Sequence, residues 1–460
     1  MEFKVIDKTP IFEAFSNIGK RIYLPQGIFY WSRRAKNEGE LIATIGAAQS
    51  FESDFKEDGS TQWIPCYLEQ IQDYFKSLKI NDIVSYAPIS GLPELRTIWK
   101  EWIIKKAMVK QLLSEKEKDN LSKYITTPIV TNGVTNGIFT CATLFLDPGE
   151  FIICPNKRWI NYDNIIERMI GGRIKSFNFF KDGNIDLDSL SSTIEEVQRD
   201  QKKIIFILNF PNNPTGYIPS KHEASELVKL LREKNEDLSK PFIILVDDAY
   251  EAYVYEDKSM QRSIFYELHH IDSDVIPIKL DGISKEFLLY GGRIGFITIG
   301  LKSSWINDEQ ELSLLKKELE NKISGLLRST ISNCNHFYQA LMIKILREKG
   351  INNLEDSIDR VKVMLKQRFD LINQQLNSIN NEHLSIDPNG GGFFVFLNIS
   401  PQKASAIDFA EHLLKKYKIG VIPIENPREN INGIRIAYCS VDIKNIPKIV
   451  EKIKLALDDF

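Results

Sequence analysis

The sequence predicts an α/β protein of two lobes, with a mainly parallel sheet between helices followed by a smaller α+β unit. Three observations support this fold class. The chain has 460 residues, which is long for one domain. Continuous apolar runs at 204–208 and 242–246 are typical of strands buried on both faces, with helical patterns between them. Beyond residue 346 this alternation gives way to a different pattern.

The first 75 residues predict an irregular arm, because short apolar pieces are broken by proline, glycine and charged residues. A helix begins near residue 92 and carries Leu95, Ile98 and Trp102 on one face. Apolar runs then alternate with helical stretches such as 221–235. The runs predict strands at 128–131, 151–154, 203–209, 242–246, 275–280 and 292–300.

The C-terminal part opens with a long helical pattern from about 304 to 346, interrupted near 332–333. A separate amphipathic helix is predicted over 354–372, where apolar residues recur at spacings of three and four. The remaining pattern predicts further strands and helices that complete an α+β unit. The strands are expected at 392–398, 421–423 and 434–439, and the helices at 405–418 and 446–457.

These patterns divide the chain into three parts. Residues 1–75 form an N-terminal arm and part of a small domain, residues 76–330 form a large domain that holds the predicted ligand site, and residues 331–460 form the C-terminal small domain. No helix-turn-helix pattern precedes the sheet, so an attached DNA-binding domain is not expected.

Composition narrows the class of protein further. The formal net charge of −3 gives no electrostatic reason to expect a nucleic acid or an anionic membrane as partner. No stretch approaches the ~18 apolar residues of a membrane helix, and the N-terminus lacks the apolar core of a signal peptide. Five scattered cysteines fit reduced thiols better than disulfides, and six histidines lack metal-ligand spacing. A cytoplasmic protein without a metal site is expected.

Two segments carry groups that bind phosphate. Thr131-Asn-Gly-Val-Thr-Asn-Gly137 lies between a strand and a helix, and the free N–H groups and positive dipole end of such a helix attract anions. Its glycines do not have the Rossmann spacing. Arg293, in Gly291-Gly-Arg-Ile-Gly295, is a bidentate partner for the same anion. Each segment alone is also compatible with a structural turn or a surface salt bridge.

Polar residues follow the ends of three predicted strands. Asn209-Phe-Pro-Asn-Asn-Pro-Thr-Gly216 lies at the sheet edge where α/β proteins bind ligands. Asp247 can keep a pyridine nitrogen protonated, and Tyr250 can donate to a phenolate oxygen. Lys285, which follows a strand and Gly282, can form a Schiff base with an aldehyde. With the phosphate groups, these residue types predict pyridoxal phosphate as the cofactor.

Five segments between Tyr86 and Tyr438 resemble a known family, the class I aminotransferases of the aspartate aminotransferase type. The segments are Tyr86-Ala-Pro-Ile-Ser-Gly-Leu-Pro-Glu-Leu-Arg96, the Asn-Pro-Thr-Gly turn, Asp247-x-x-Tyr250, Ser284-Lys285 with Arg293, and Gly433-Ile-Arg-Ile-Ala-Tyr438. The resemblance implies fold type I, with a mainly parallel seven-stranded sheet in the large domain and a smaller α+β domain. One departure is Gly282, where the family often has a serine that contacts the phosphate.

The resemblance implies a role for each matching residue. Lys285 would hold the cofactor as a Schiff base and carry a proton between substrate and cofactor. Arg435 would bind the substrate α-carboxylate through a bidentate fork, a contact that contributes roughly 1.5–3 kcal/mol, and Gly46 would close over the substrate. The remaining implied cofactor contacts are Asp247 at the pyridine nitrogen, Asn213 and Tyr250 at the 3-oxygen, Val134, Thr135, Ser284 and Arg293 at the phosphate, and Trp159 stacked on the ring.

The resemblance also implies a homodimer with shared active sites, because Tyr86 resembles the residue that reaches the phosphate of the partner subunit. Arg328 resembles the arginine that dicarboxylate-specific relatives present from the partner subunit. We hypothesise that Arg328 binds the distal carboxylate of glutamate, 2-oxoglutarate or aspartate, with an arginine on a helix surface as the alternative. The spacing between Lys285 and Arg328 exceeds the family pattern and predicts a lengthened helix.

These residues favour an aminotransferase that moves an amino group from a dicarboxylic or aromatic L-amino acid to a 2-oxo acid such as 2-oxoglutarate, by ping-pong exchange through pyridoxamine phosphate. A lyase, either a cysteine-S-conjugate β-lyase or an enzyme like aminocyclopropane-carboxylate synthase, would use the same cofactor residues and stays open as an alternative. A sensor that binds the cofactor without catalysis is disfavoured, because Lys285, Asp247, Tyr250 and Arg435 are all present.

Overall fold

A computed structural model describes residues 5–24, 27–68, 71–108 and 114–460, apart from the side chains of residues 7, 72 and 349–357. The α-helices are Pro10–Ala14, Asn17–Arg21, Ile28–Glu38, Ile71–Lys76, Asn81–Val84, Pro93–Ala107, Glu115–Lys123, Gly133–Phe145, Asn161–Asp163, Leu187–Val197, Lys221–Leu238, Ile264–His269, Ile283–Glu286, Glu309–Thr330, His336–Asn377, Ala406–Tyr417 and Ile446–Asp459, with a π-helix at Asn164–Ile170. None of the helices in these ranges has the length and apolar character needed to cross a bilayer.

Seven strands form the main sheet: β1 (Ile129–Thr131), β2 (Phe151–Pro155), β3 (Arg173–Phe177), β4 (Ile204–Asn209), β5 (Phe242–Asp247), β6 (Val275–Gly282) and β7 (Gly295–Ile299). Their order across the sheet is β1-β7-β6-β5-β4-β2-β3. Neighbours are parallel except β7, which is antiparallel to both β6 and β1. The predicted α/β class and the mainly parallel seven-stranded sheet are confirmed.

The central strands are buried because their sequences are apolar on both faces. Every residue of β4 and of β5 is buried, as the continuous runs predict. Strand β3 was not predicted. It lies at the sheet edge, where Arg173 and Lys175 alternate with apolar residues and only Phe177 is buried. An edge strand of five residues gives too weak a local pattern to be recognised in the sequence.

The ends of the parallel strands bring the predicted site residues together. Asp247 at the end of β5 pairs in register with Asn209 at the end of β4 and with Leu280 near the end of β6. Lys285 lies in the short helix Ile283–Glu286 that directly follows β6. Residues far apart in sequence therefore meet at one sheet edge, which is where open α/β sheets bind their ligands.

A second, antiparallel sheet contains β8 (Leu384–Ile386), β9 (Val395–Ile399), β10 (Ile422–Asn426) and β11 (Ile431–Ile436), in the order β8-β9-β11-β10. Helices Ala406–Tyr417 and Ile446–Asp459 bury apolar faces in the same core. We call the seven-stranded sheet with its helices the large lobe, and the four-stranded sheet with its helices the small lobe. Short strands outside both sheets are Leu41–Ile42, Gln49–Phe51, Trp63–Pro65, Phe180–Lys181, Asn184–Ile185 and Ile419–Gly420.

One long helix, His336–Asn377, connects the lobes. The prediction of two helices separated near residue 350 was wrong, because a single glycine without a proline does not stop a helix. Leu341 packs in the core of the large lobe, whereas Leu365 packs in the core of the small lobe. The interruption predicted near residues 332–333 is confirmed, since helix Glu309–Thr330 ends just before it. The division of the chain at residue 331 stays a prediction.

The N-terminal segment is more regular than predicted. Helix Ile28–Glu38 buries Trp31 and Ala35 and packs against helix Ala406–Tyr417 and strand Ile419–Gly420. The prediction of an irregular arm was wrong here, because the support for this helix comes from residues almost 400 positions away. Only two of its eleven residues are buried, so the segment offers few apolar positions from which a core helix could be predicted.

Candidate active site

A cavity of about 580 Å³ lies where β4, β5 and β6 end, and residues of the small lobe form part of its wall. It brings together eleven of the predicted site residues: Gly46, Val134, Thr135, Trp159, Asn213, Asp247, Tyr250, Ser284, Lys285, Arg293 and Arg435. The predicted Tyr86 and Arg328 do not line it. A cavity into which several titratable groups converge is the usual setting for catalysis.

One end of the cavity is the N-terminus of helix Gly133–Phe145. The first N–H groups of this helix, including those of Val134 and Thr135, have no partner within the helix. Gly133 has φ +77°, and a Cβ there would lie 2.5 Å from Nη2 of Arg293. Glycine at this position therefore lets the guanidinium approach the helix end. The positive charge and the helix dipole both favour a bound anion at this point.

Arg293 is held at the same end by Ser284 and Tyr290. Its Nη1 donates to the Ser284 hydroxyl at 3.2 Å and to the Tyr290 carbonyl at 3.2 Å. A Cβ at Gly282 would lie 2.6 Å from the carbonyl oxygen of Ile294, so β6 and β7 leave no room there for a serine. The departure from the family pattern at Gly282 thus has a steric reason, and Ser284 supplies a hydroxyl nearby.

Asp247 forms the base of the cavity. Its carboxylate accepts hydrogen bonds from the Tyr162 hydroxyl at 2.5 Å and from the Ala249 N–H at 3.1 Å. The Asn209 side chain donates to the Asp247 carbonyl at 2.8 Å and fixes the end of the strand. Burial raises the pKa of Asp247 to about 6, although both hydrogen bonds oppose this shift. A cation placed against this carboxylate would offset its desolvation and keep it ionised.

Lys285 reaches into the cavity from the helix after β6. Its Nζ donates to the Gly46 carbonyl and lies 4.9 Å from the ring centre of Tyr290 and 5.7 Å from that of Tyr250. Burial, together with the positive charges of Arg435 and Arg293, lowers the pKa of Lys285 to about 8. A substantial fraction of the amine is therefore neutral near physiological pH, as a nucleophile or general base requires.

Arg435 is a buried cation of the small lobe, only 2% exposed, in strand β11. It donates to the Asn213 side-chain oxygen at 3.0 Å and to the Thr44 carbonyl at 2.8 Å, and it lies 4.2 Å from the ring centre of Phe394. Its Nε is buried without a hydrogen-bond partner, and among the described residues no carboxylate forms an ion pair with it. Burial lowers the pKa of Arg435 to about 10. A buried guanidinium without a carboxylate partner is suited to bind the carboxylate of a ligand.

Trp159 and Asn213 lie beside these charged groups. The Trp159 ring packs edge to face on Tyr162 at 5.6 Å, next to the carboxylate that Tyr162 contacts. The Asn213 N–H donates to the Asn209 side chain at 2.8 Å, while its own side chain accepts from Arg435. Asn213 therefore connects the base of the cavity to Arg435.

Tyr86 and Arg328 lie on the surface of the chain. Tyr86 is 90% exposed, and Arg328 is exposed near the end of helix Glu309–Thr330, where it donates to the Ser332 hydroxyl. Both were predicted to act at the site of a partner subunit, so one chain does not bring them to its own cavity. Their roles stay predictions. The helix is 22 residues long, in keeping with the lengthened helix expected before Arg328.

The groups around the cavity fit pyridoxal phosphate. The helix N-terminus with Arg293 and Ser284 suits the phosphate, Asp247 suits a protonated pyridine nitrogen, and Lys285 is an amine with a lowered pKa. Arg435 also lines the cavity, and its buried Nε has no hydrogen-bond partner, so this cation suits the carboxylate of a substrate. Each chemical function of the cofactor thus has a matching group on the chain.

Comparison with known protein families decides the identity. The sequence model for "Aminotransferase class I and II" matches residues 52–453, which is most of the chain. The chain belongs to this aminotransferase family. It is a pyridoxal-phosphate-dependent aminotransferase of fold type I, as the sequence predicted. The lyase alternative is not favoured.

Named relatives and solved structures agree with this assignment. A probable aspartate aminotransferase of Methanocaldococcus jannaschii is 27% identical over 80% of this chain and 85% of its own length. An aromatic-amino-acid aminotransferase of Thermococcus litoralis is 22% identical over 85% of this chain and 86% of its own. The crystal structure of an aminotransferase from Anaerococcus prevotii superimposes with a TM-score of 0.79 at 26% identity, covering 96% of this chain and 98% of the other.

Several residues in or next to the aminotransferase cavity were not predicted. Tyr162 lies behind the lining of the cavity, and only the packing of its segment against the end of β5 shows that it is a partner of Asp247. Ile28 and Phe29 also line the cavity, yet nothing in their neighbourhood in the sequence distinguishes them from surface residues. Phe394, which stacks on Arg435, follows three consecutive glycines and could have been noticed there.

Proposed function

We propose that this aminotransferase moves the α-amino group of a dicarboxylic or aromatic L-amino acid to a 2-oxo acid such as 2-oxoglutarate. One arrangement carries the proposal: Lys285 and the unpaired Arg435 line the same cavity, with Asp247 at its base. A cation without a carboxylate partner matches the α-carboxylate of a substrate. An amine with a lowered pKa beside it matches the group that moves a proton at the α-carbon.

When bound, pyridoxal phosphate supplies the electron sink for the reaction. Residues of the chain bind the cofactor, orient the substrate and move the proton. Lys285 would hold the cofactor covalently and move the proton at the substrate α-carbon, while Asp247 would keep the pyridine nitrogen protonated. Asn213 and Tyr250 would bind the ring 3-oxygen, and Trp159 would stack on the ring. Val134, Thr135, Ser284 and Arg293 would hold the phosphate. Arg435 would orient the substrate by its carboxylate, and Gly46, whose carbonyl accepts from Lys285, would close over the substrate.

Two observations support the proposed substrate classes. The relatives described above include proteins named for aspartate and for aromatic amino acids. The cavity wall contains Ile28, Phe29 and Ile45, which are apolar side chains able to pack on an aromatic substrate. The apolar wall would contact an aromatic side chain, and Arg328 from the partner subunit would bind a distal carboxylate. The site could then accept both aromatic and dicarboxylic amino acids.

An absorbance titration of the purified protein tests this function. Adding L-glutamate or L-phenylalanine should remove the visible band of the protein-bound cofactor, and adding 2-oxoglutarate should restore it. Pyruvate and ammonia should not accumulate from L-cysteine, whose thiol is the β-leaving group in a lyase reaction, in the absence of an oxo acid. A band that no amino acid changes would contradict the proposal.

We propose that Arg328 binds the distal carboxylate of a dicarboxylic substrate in the active site of the partner subunit. Replacing Arg328 with leucine should lower kcat/KM for glutamate and aspartate by about 10- to 100-fold, the value of a hydrogen bond to a charged group. Turnover of phenylalanine should stay unchanged. The control is Arg347→Leu, which alters another exposed arginine. Unchanged dicarboxylate turnover in Arg328→Leu would disprove the assignment.

We also propose that the enzyme is a homodimer with shared active sites. Exposed apolar side chains cluster along residues 75–89, including Phe75 (53% exposed), Ile80 (68%) and Val84 (68%), and Tyr86 lies among them at 90% exposed. An apolar cluster of this kind is typical of a protein interface. A second copy is the expected partner, because Tyr86 would then reach the phosphate in the neighbouring site.

Two substitutions test the dimer. Val84→Asp should give monomers in sedimentation experiments, because it places a charge in the interface. Tyr86→Phe should leave the dimer intact but weaken cofactor binding by about 10-fold or more, through loss of a hydrogen bond to a charged phosphate. Leu455→Asp changes an apolar residue that is 46% exposed elsewhere and serves as the control. A Val84→Asp protein that remains dimeric would exclude this face as the interface.

The cysteines support a reducing compartment, and we propose the cytoplasm. Cys66, Cys141, Cys154, Cys334 and Cys439 are all buried free thiols. Burial raises the pKa of Cys66 to about 12, so this thiol stays protonated and unreactive. Buried cysteines that form no disulfides are usual in cytosolic enzymes.

A further inference from the structure

Two ion pairs join the large lobe to the small lobe beside Trp159. They start from consecutive residues, Lys157 and Arg158, in the segment just before the tryptophan. Their partners, Asp387 and Glu429, belong to the small lobe. We call them the interlobe ion pairs. The function described above assigns no role to them.

The first pair is almost completely shielded from water. Lys157 Nζ lies 2.7 Å from both carboxylate oxygens of Asp387 and 2.8 Å from the Asn398 side-chain oxygen. The Lys157 side chain is 12% exposed and that of Asp387 is 6% exposed. Asn398 lies in β9 and also donates to Asp387 at 2.8 Å. The ammonium group is thus bound in one position by the small sheet.

In the second pair, Arg158 contacts Asp163 through Nε and Nη2 and contacts Glu429 through Nη1 alone. Arg158 donates to both oxygens of Asp163, at 2.7 and 3.1 Å, and to both oxygens of Glu429, at 2.8 and 3.1 Å. Glu429 also accepts hydrogen bonds from Ser176 of the large lobe and from Asn426. A planar guanidinium bound by two carboxylates has little freedom to move.

These contacts connect the two halves of the active site. Glu429 lies just before β11, the strand that carries Arg435. On the large lobe, Arg158 is followed by Trp159, and its other partner Asp163 is next to Tyr162, which donates to Asp247. A chain of short, buried contacts therefore runs from the base of the cofactor site to the strand of the carboxylate-binding arginine.

We propose that Lys157, Arg158, Asp387 and Glu429 are positioning residues that set the place of Arg435 relative to Trp159 and Lys285. The proposal rests on the function proposed above, in which Arg435 binds the substrate carboxylate. Backbone hydrogen bonds from Gly390 to Gly216 also join the lobes, but they do not reach the Trp159 segment. The interlobe ion pairs fix that segment, and a small displacement of Arg435 would weaken substrate binding without altering the reacting groups.

The test uses Glu429→Gln and Asp387→Asn, which keep the side-chain shape and remove the charge. In the holoenzyme, each should raise KM for the amino donor by about tenfold and leave kcat within about twofold, the pattern of lost uniform binding. The affinity for non-reacting carboxylates, succinate and 3-phenylpropionate, should fall by about tenfold in absorbance titrations. Cofactor affinity should stay within about twofold, because Arg158 keeps its contacts to Asp163 beside Trp159 and the altered residues do not contact Lys285, Asp247 or Arg293.

Controls separate positioning from a loss of fold. Asp188→Asn removes the exposed ion pair of Lys181 and Asp188, 2.9 Å apart within the large lobe, and should change none of these quantities. Should Asp387→Asn fold poorly, Lys157→Met combined with Asp387→Leu removes both buried charges and should restore the melting temperature while carboxylate affinity stays reduced.

The outcomes are distinct. A lower melting temperature with wild-type KM and wild-type carboxylate affinity would show that the ion pairs only stabilise the fold, and it would overturn the proposal. A fall in kcat of about tenfold with an unchanged KM would also overturn the proposal. Failure of the wild-type enzyme itself to bind either carboxylate would instead contradict the proposed function of Arg435.

Discussion

Replacing Lys285 with alanine is expected to lower kcat/KM for amino transfer by about 10⁴-fold, the upper range for the loss of a general acid–base group. The amine is the group in the cavity with a pKa of about 8, and it is also the nucleophile for the cofactor aldehyde. The variant should still fold. It loses one hydrogen bond, from Lys285 Nζ to the Gly46 carbonyl, and it no longer has to bury an ammonium group, which is unfavourable. Amino transfer from glutamate in a coupled assay measures the effect.

Added methylamine should restore part of the activity of Lys285→Ala, because a small amine fits the space that the side chain leaves and can move the proton. The matched control is Lys258→Ala, which removes a lysine that is 76% exposed and should behave as the wild type. Full activity in Lys285→Ala without added amine would mean that another residue carries the cofactor, and the proposed mechanism would be wrong.

The second large effect is expected for Asp247→Asn. The substitution keeps the shape of the side chain but removes the charge opposite the pyridine nitrogen, and a hydrogen bond to a charged group is worth up to about 3 kcal/mol. The rate of the first half-reaction should therefore fall by about 100-fold, while the substrate affinity set by Arg435 changes little. Stopped-flow absorbance with excess glutamate measures this rate. A half-reaction as fast as in the wild type would contradict the role of Asp247.

Asp247→Asn should also change the pH dependence of stability in the cofactor-free protein. Burial raises the pKa of Asp247 to about 6, above the value near 4 of an unfolded chain, so the folded state binds more protons between pH 4 and 6. At pH 7 the buried carboxylate of Asp247 lowers the free energy of unfolding. This cost is lost as the pH falls from about 6 to about 4. The asparagine variant should thus be more stable than the wild type by up to about 3 kcal/mol at pH 7, and the difference should vanish near pH 4 in urea unfolding.

Local sequence patterns were enough to predict most of the large lobe and the chemistry of the site. Strands such as β4 and β5 are apolar along their whole length, and only a buried sheet accommodates such runs. Lys285 and Asp247 were predicted from residue types that follow the ends of buried strands, and Arg435 from the resemblance to the aminotransferase family. The structure places all three in one cavity, and their roles stay predictions.

Other features depend on contacts between distant parts of the chain. Helix Ile28–Glu38 is stabilised by Trp31 and Ala35, which pack on the small lobe. Its stability therefore depends on residues far away in the sequence. The value of about 8 for the pKa of Lys285 follows from burial and from Arg435, which is 150 residues away. Tyr162 could be assigned to Asp247 only after β5 and the segment of Trp159 had been placed side by side.

The sequence by itself determined the cofactor and the α/β fold, because residue types and hydrophobic periodicity encode covalent chemistry and local structure, and its resemblance to a known family indicated the reaction class. The tertiary structure alone decided which groups lie within hydrogen-bond distance, how strongly burial shifts the pKa values of Asp247, Lys285 and Arg435, and that Lys157 and Arg158 hold the two lobes together. These properties arise from desolvation and packing between residues distant in the chain, and no local pattern specifies them.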